Sequence, residues 1–174
     1  MLIVFGGLPG TGKTTLARAL VQERGTAYLR IDTIEQALRQ SGTVGDDMGP
    51  TGYMVAYALA ESNLRLGRSV VADAVNALPI TREPWRQVAQ ATSAELVEIE
   101  VICSDTAEHR RRIETRSIDV PGLTPPTWEE ILAGDYQPWD RPRLVIDTAD
   151  RTISEAVAEL AAQMAARRPG ASEA

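Results

Sequence analysis

The stretch that decides the fold is Leu2–Leu20, which reads LIVFGGLPGTGKTTLARAL. Its first four residues, Leu2–Phe5, are all apolar and predict a strand that is buried on both faces. After a glycine-rich segment, Thr14–Glu23 carries apolar residues at helical spacing, and Gly25 ends this predicted helix. The stretch therefore predicts a strand, a glycine-rich loop and a helix, the opening unit of a parallel sheet.

The glycine-rich loop has the pattern of a phosphate cradle, because Gly7–Thr14 fits G-x-x-x-x-G-K-[ST] at every fixed position. Glycines let backbone N–H groups turn towards an anion, and the helix N-terminus adds its dipole. Lys13 is expected to hold the β- and γ-phosphates, and the Thr14 hydroxyl is expected to bind Mg²⁺. The predicted nucleotide-binding residues here are Gly7, Leu8, Pro9, Gly10, Thr11, Gly12, Lys13, Thr14 and Thr15.

Lysine usage gives independent support for this prediction. Lys13 is the only lysine among the 18 basic residues, all the others being arginine. The chain thus keeps a compact ammonium at the one position where a forked guanidinium would fit badly.

Strand and helix patterns alternate along the rest of the chain, which predicts an α/β fold with a five-stranded parallel sheet and helices on both faces. The strand at 94–103 alternates polar and apolar residues, so we expect it towards an edge of the sheet. One domain, 1–168, is expected, with a proline-rich lid at about 117–141 and a flexible tail at 169–174. The other predicted strands are 26–32, 68–73 and 143–147, and the other predicted helices are 33–40, 52–66, 81–92, 106–117 and 154–166.

Composition and charge limit the kinds of partner. The net charge is −6 and the pI about 4.9, which argues against a nucleic-acid partner. Cys103 is the only cysteine and His109 the only histidine, so a zinc site of Cys and His and a Cys–His nucleophile are excluded. His109 lies in an arginine-rich stretch and is expected to be solvated. No apolar run is long enough to span a bilayer, and no basic segment precedes the first apolar run, so we expect a cytoplasmic protein without a membrane partner. The sequence does not predict the oligomeric state.

Phosphoryl transfer is favoured over switching or hydrolysis. An Asn-Lys-x-Asp base pocket of a GTP-dependent switch is impossible without a second lysine. In the strand VVADAV, Asp73 is followed by alanine rather than by a water-positioning glutamate. The chain is also short for an AAA module.

Aspartates follow several predicted strands, at the edge of the sheet where ligands of open α/β proteins bind. They are Asp32, Asp73, Asp105 and Asp147. Transfer to a hydroxyl needs a carboxylate that orients it in line with the γ-phosphate, and Asp32 is the candidate base. Asp73 is the candidate for holding Mg²⁺ or the acceptor. Helix capping is the alternative role for each of these residues.

Arginines supply candidate cations for the transferred phosphoryl group. Arg112 and Arg116 are four residues apart and share a helix face that leads into the predicted lid. The alternative is a solvated basic helix.

Together these residues resemble the group of P-loop kinases that includes polynucleotide 5′-hydroxyl kinases, chloramphenicol phosphotransferase, gluconate kinase, and the shikimate and adenylate kinases. The resemblance implies the three-layer P-loop NTPase fold, with ATP and Mg²⁺ as cofactors. The match of LRID implies Asp32 as general base, and RIETR implies Arg112 and Arg116 as catalytic arginines. The match of LVIDT implies Asp147 and Thr148 near the adenine.

The acceptor is expected to be a small, neutral hydroxyl compound such as a sugar, nucleoside or antibiotic. We expect it to contact Asp32, Tyr53, Asp73, Asn76 and Arg82. Tyr53 and Tyr57, and the lid residues Trp128 and Trp139, could stack on a ligand or belong to the core. The alternative functions are a polynucleotide 5′-hydroxyl kinase and a non-enzymatic ATP-binding sensor.

Overall fold

The computed structural model describes residues 1–42 and 48–167. The flexible tail expected at 169–174 lies outside these residues, as do residues 43–47 of the stretch 41–51, whose composition predicts a loop. The elements, in chain order, are β1 (Leu2–Gly6), α1 (Lys13–Arg24), β2 (Ala27–Arg30), α2 (Ile31–Gln40), α3 (Thr51–Arg65), β3 (Val70–Asp73), α4 (Pro79–Ala91), β4 (Leu96–Ile102), α5 (Thr106–Thr115), α6 (Trp128–Ala133), β5 (Leu144–Asp147) and α7 (Ile153–Ala166).

The five strands form one parallel sheet in the order β2-β3-β1-β4-β5. β1 lies in the middle, with Phe5 beside Asp73 of β3 and Ile99 of β4. All strands therefore end at the same edge, and the loop after β1 begins at the centre of that edge. This confirms the predicted fold class.

β4 lies towards one edge of the sheet, as predicted, but it is not the edge strand, because it pairs with β1 on one side and with β5 on the other. Its alternating glutamates are buried rather than solvated, and each meets an arginine. Glu98 accepts hydrogen bonds from Arg86, and Glu100 accepts one from Arg143. Alternating charged residues in a strand usually indicate an exposed face. In β4 they are instead buried carboxylates, each paired with an arginine.

Helices cover the two faces of the sheet and bury a separate apolar cluster on each. On one face, Leu16 of α1 and Leu160 of α7 pack with Ile3 and Phe5. On the other, Ala56 of α3 and Trp85 of α4 pack with Val4. A third cluster joins α5 to α6 beside the loop after β1. These layers fix β1 and α1, and so fix the ends of the glycine-rich loop between them.

The segment predicted as a lid, residues 117–141, has two differently packed parts. Its later part is anchored: Trp139 is buried against Gly6, and Arg82 of α4 donates hydrogen bonds to the carbonyls of Gln137 and Pro138. Its earlier part, which includes Asp119, reaches over the end of the sheet. Trp128 and Trp139 therefore pack in the protein interior.

Candidate functional site

The glycine-rich loop connects β1 to α1 and is shaped by backbone that other residues adopt poorly. Gly7 has φ of 135°, and a Cβ at this position would collide with the carbonyl oxygen of Val101. Gly12 is the N-cap of α1, with φ of 94°. Both positions require glycine, and together they bring the loop around to the positive end of the α1 dipole. The cradle expected from the motif is thus built into the backbone.

Lys13 lies beneath this loop, with only 8% of its surface exposed. Its Nζ donates a hydrogen bond to the Leu8 carbonyl, 3.2 Å away. Burial lowers the pKa of Lys13, while the nearby carboxylates of Asp73 and Asp32 act in the opposite direction. A buried ammonium of this kind gains most from an anion that enters the loop.

Helix α5 supports the loop from the side. His109 Nε2 lies 2.7 Å from the Pro9 carbonyl oxygen, and its ring packs edge-on against Trp128, with 5.2 Å between the ring centroids. His109 is only 5% exposed, so the expectation that it is solvated is wrong. Its neighbours in sequence are charged, but its own side of the helix faces the glycine-rich loop.

A cavity of about 610 Å³ opens beside the loop, within the size range of small-molecule sites. Its walls come from the loop, α1, the start of α2, the end of α5, the early lid segment and the start of α7. The predicted residues that line it are Pro9, Gly10, Gly12, Lys13, Thr14, Thr15, Asp32, Arg112, Arg116 and Thr148. The structure therefore brings together the predicted loop, the candidate base and both candidate arginines.

Asp32 lies in the first turn of α2, since β2 ends earlier than predicted, at Arg30. Its side chain is 44% exposed and faces the cavity. Arg30 Nη2 donates a hydrogen bond to Asp32 Oδ2 at 3.2 Å. A partly exposed carboxylate in the wall of a cavity can accept a proton from a bound hydroxyl.

The two candidate arginines of α5 and its C-cap differ in how they are held. Arg112 donates hydrogen bonds to Glu108 and to both oxygens of Thr148, so it is fixed along the cavity wall. Arg116 is the C-cap residue of α5, and its buried Nε has no hydrogen-bond partner among the residues that the structure describes. Burial lowers the pKa of Arg116, and the Asp32 carboxylate counteracts this effect. Arg116 is the cation of this pair with donor capacity to spare.

Thr148 and Asp147 take different positions at the end of β5. The Thr148 hydroxyl donates to the Thr11 carbonyl at 2.8 Å, so it links β5 to the phosphate loop. Asp147 accepts hydrogen bonds from the backbone N–H groups of Ser104 and Ala149, which closes the local turn. Thr148 lines the cavity and Asp147 does not.

Asp73, expected to hold Mg²⁺ or the acceptor, is only 2% exposed and does not line the cavity. The Tyr28 hydroxyl donates to its Oδ2 at 2.7 Å, and Arg30 Nε is 3.9 Å from the same oxygen. Within residues 1–42 and 48–167, no group of three or more His, Cys, Asp or Glu residues could hold a metal ion. Any Mg²⁺ here would depend on the phosphates and Thr14 for most of its ligands.

Asn76 and Arg82, expected at the acceptor, are built into the core instead. Asn76 is fully buried, donates to the Phe5 carbonyl and accepts from Trp85 Nε1. Arg82 is 1% exposed, and its guanidinium donates to four backbone carbonyls while stacking on Trp139. The polar groups of both residues are hydrogen-bonded within the core, and neither residue lines the cavity.

Tyr53 also packs on the far side of the sheet end. Its ring lies 6.0 Å from that of Tyr57, and both join the core cluster around Trp85. The Tyr53 hydroxyl accepts a hydrogen bond from the backbone N–H of Asn76, and burial raises the pKa of Tyr53 to about 12. Neither tyrosine lines the cavity.

Four charged residues of the cavity are not predicted as site residues by the sequence: Arg18, Arg30, Asp119 and Arg151. Arg30 donates from Nη1 to both carboxylate oxygens of Asp119, at 2.9 Å each, and Arg18 also pairs with Asp119. The available signal is that Arg30 directly precedes the stretch carrying Asp32, at the end of a strand. Its partner Asp119 is 89 residues away in the chain and has no local pattern to mark it.

Comparison with protein families identifies a match over most of the chain. The model of the family AAA_33, described as an AAA domain, matches residues 2–124. The chain is therefore long enough for this AAA domain, contrary to the expectation from its length. Alanine still follows Asp73 where a hydrolytic ATPase would have a water-positioning glutamate.

One curated relative is an uncharacterized protein of Mycobacterium tuberculosis (strain ATCC 25618 / H37Rv), Rv2004c. It is 30% identical over 119 residues, which cover 62% of this chain and 24% of the relative. The chain thus spans about a quarter of the length of the curated relatives that it matches.

Solved structures share the fold along nearly the whole chain. Kti12 of Chaetomium thermophilum, solved in complex with ADP-AlF3, has a TM-score of 0.68 at 20% identity and covers 98% of this chain and 100% of its own. A gluconokinase of Sinorhizobium meliloti 1021 has a TM-score of 0.65 at 19% identity and covers 94% and 91%. These similarities establish the P-loop fold of small kinases.

Proposed function

Because the chain belongs to the AAA domain family AAA_33 and has the fold of small P-loop kinases, we propose that it is an ATP- and Mg²⁺-dependent phosphotransferase. In this proposal it moves the γ-phosphoryl group of ATP to a hydroxyl of a small molecule. The observation that carries the proposal is that Lys13 of the phosphate loop and the partly exposed carboxylate of Asp32 line the same cavity.

The reaction assigns one task to each side of this cavity. The acceptor oxygen forms a bond to the γ-phosphorus as the bond from that phosphorus to the β–γ bridging oxygen breaks, and ADP leaves. Asp32 accepts the hydroxyl proton. Lys13 and Arg116 stabilise charge on the transferred group, while Arg112 and Thr148 hold the wall beside the nucleotide. Thr14 would be a ligand of bound Mg²⁺, which would offset the charge of the phosphates.

We assign the acceptor to a small compound because four of the six cations that line the cavity are paired with acids and, in the part of the chain that the structure describes, only Lys13 and Arg116 are not. Asp119 pairs with Arg18 and Arg30, Glu108 with Arg112, and Glu159 with Arg151. An open basic groove that could track a polynucleotide backbone would need unpaired cations along its length. The gluconokinase that shares this fold is named for a small hydroxyl-bearing acceptor, which agrees with this assignment.

Replacing Asp32 by asparagine tests the proposal, since it removes the proton acceptor and keeps the shape of the side chain. A library of sugars, nucleosides and hydroxyl-bearing antibiotics is incubated with the protein and MgATP, and mass spectrometry scores compounds that gain one phosphate. We expect wild type to yield a product and Asp32→Asn to lose at least about 100-fold in rate, with ATP affinity within twofold.

Two control variants complete this experiment. Lys13→Ala is expected to weaken ATP binding as well as turnover, because it removes the ammonium beneath the phosphate loop. Arg65→Gln alters an exposed ion pair with Glu61 and should match wild type. Full rate in Asp32→Asn would refute the base assignment, and tight ATP binding with no product from any hydroxyl compound would favour a sensor.

A further inference from the structure

The guanidinium of Arg30 makes contacts on two sides of the cavity at once. Nη1 donates to both oxygens of Asp119 in the early lid segment, at 2.9 Å each. Nη2 donates to Asp32 Oδ2 at 3.2 Å. One planar group thus joins the lid to the carboxylate that faces the cavity.

Arg30 is placed for this by the sheet rather than by the lid. It is the last residue of β2, next to Asp73 in the register of β3, and its side chain is 10% exposed. A side chain that is nine-tenths buried loses little further freedom when it pairs, unlike an exposed arginine. Its ion pairs with Asp119 and Asp32 therefore cost less side-chain entropy than those of an exposed arginine.

Asp119 is also held from a second element. Arg18 of α1, on the helix that begins at Lys13, pairs with the same carboxylate. Burial acts to raise the pKa of Asp119, but the hydrogen bonds from Arg30 and Arg18 outweigh it and hold this pKa below its usual range. The carboxylate is accordingly charged at neutral pH, and the contact persists there.

We propose that Arg30 is a positioning residue that couples closure of the lid segment to the orientation of Asp32. When Asp119 is docked, Nη1 is taken by the lid and the plane of the guanidinium is fixed, so Nη2 holds Asp32 Oδ2 in place. The other carboxylate oxygen of Asp32 is then turned to the acceptor hydroxyl. This inference rests on the proposed function in taking Asp32 as the base.

The coupling is tested first without turnover, by hydrogen–deuterium exchange of the nucleotide-free protein. Asp119→Asn and Arg30→Gln are each expected to speed exchange in residues 117–126 and in the first turn of α2, which carries Asp32. Arg18→Gln is the matched control: it removes one ion pair of Asp119 but keeps Arg30 bonded to both Asp119 and Asp32, so any faster exchange should be confined to residues 117–126. Arg65→Gln should change neither region. An unchanged first turn of α2 in Asp119→Asn would overturn the coupling.

The positioning role is tested by steady-state kinetics with an acceptor from the library screen. Arg30→Gln is expected to lower kcat by about 10- to 100-fold with KM for ATP within threefold, because the base is misplaced and the phosphate loop is intact. Arg30→Lys, which keeps one charge but cannot bridge both carboxylates, should recover only part of this loss. In an Asp32→Asn background, Arg30→Gln should cause no further loss.

The failures of the two proposals are distinguishable. Wild-type kcat in Arg30→Gln beside an inactive Asp32→Asn refutes the positioning role and leaves the proposed function standing. Absence of any phosphorylated product, with exchange coupled as expected, refutes the proposed function and supports the link between Asp119, Arg30 and Asp32.

Discussion

At the scale of single residues, burial decides which polar side chains can serve a ligand. Asn76 and Arg82 have suitable chemistry for an acceptor site, yet their side chains are hydrogen-bonded to the backbone or to a core tryptophan. Lys13 is also buried, but within residues 1–42 and 48–167 its Nζ makes a single hydrogen bond, to the Leu8 carbonyl. A buried cation with spare donors is arranged for an incoming anion, whereas a fully bonded one supports the fold.

The lowered pKa of Lys13 predicts a pH-dependent cost to stability. Below this lowered pKa the lysine is charged in both the folded and unfolded states, and the full cost of burying the charge is present. As pH rises from there towards the ordinary value of 10.5, the folded state loses its proton first and the cost disappears. The free energy of unfolding of Lys13→Met minus that of wild type should therefore decrease as pH rises.

Urea unfolding at a series of pH values from 7 to about 10.5 measures this difference. Arg24→Met, a change at an exposed cation in the last turn of the same helix, is the control and should show a flat difference. A difference for Lys13→Met that is constant or grows with pH would contradict the assignment of a burial cost.

At the scale of elements, helix α5 acts as a brace for the phosphate loop. His109→Ala removes the contact to the Pro9 carbonyl and the packing against Trp128. Loss of one hydrogen bond of about 1 kcal/mol should weaken MgATP binding several-fold, because the loop is less ordered before the nucleotide arrives.

Isothermal titration with MgATP checks this prediction. Arg111→Ala, on the exposed side of the same helix, is the matched control and should bind as wild type does. An unchanged affinity in His109→Ala together with a lower melting temperature would show that His109 only stabilises the fold.

Elements also show how far sequence patterns reach. Local periodicity predicts β1, α1 and the loop between them, since the signal lies within a short stretch. The burial of both faces of β4 is not predictable in this way, because Glu98 and Glu100 look solvated until their partners Arg86 and Arg143 are known. Likewise Asp119 reaches Arg30 only through the folded lid. The features that sequence patterns do not predict depend on contacts between residues that are distant in the sequence.

At the scale of the whole molecule, charge is distributed unevenly. The chain carries a net charge of −6, yet the cavity wall gathers Lys13, Arg18, Arg30, Arg112, Arg116 and Arg151 against Asp32 and Asp119. A local excess of cations in an acidic protein draws anionic ligands to one place and away from the rest of the surface. No helix of the described residues is long and apolar enough to cross a membrane.

The central claim is that a triphosphate lies in the loop around Lys13 with Asp32 opposite its terminal phosphate. A crystal structure with a non-hydrolysable ATP analogue and Mg²⁺ tests it most directly. We expect the phosphates on the backbone N–H groups of Gly7–Thr14, Lys13 Nζ beside the β- and γ-phosphates, and the Asp32 carboxylate facing the γ-phosphorus with room for a hydroxyl between them. An empty phosphate loop, or an Asp32 carboxylate directed away from the γ-phosphate, would contradict the account.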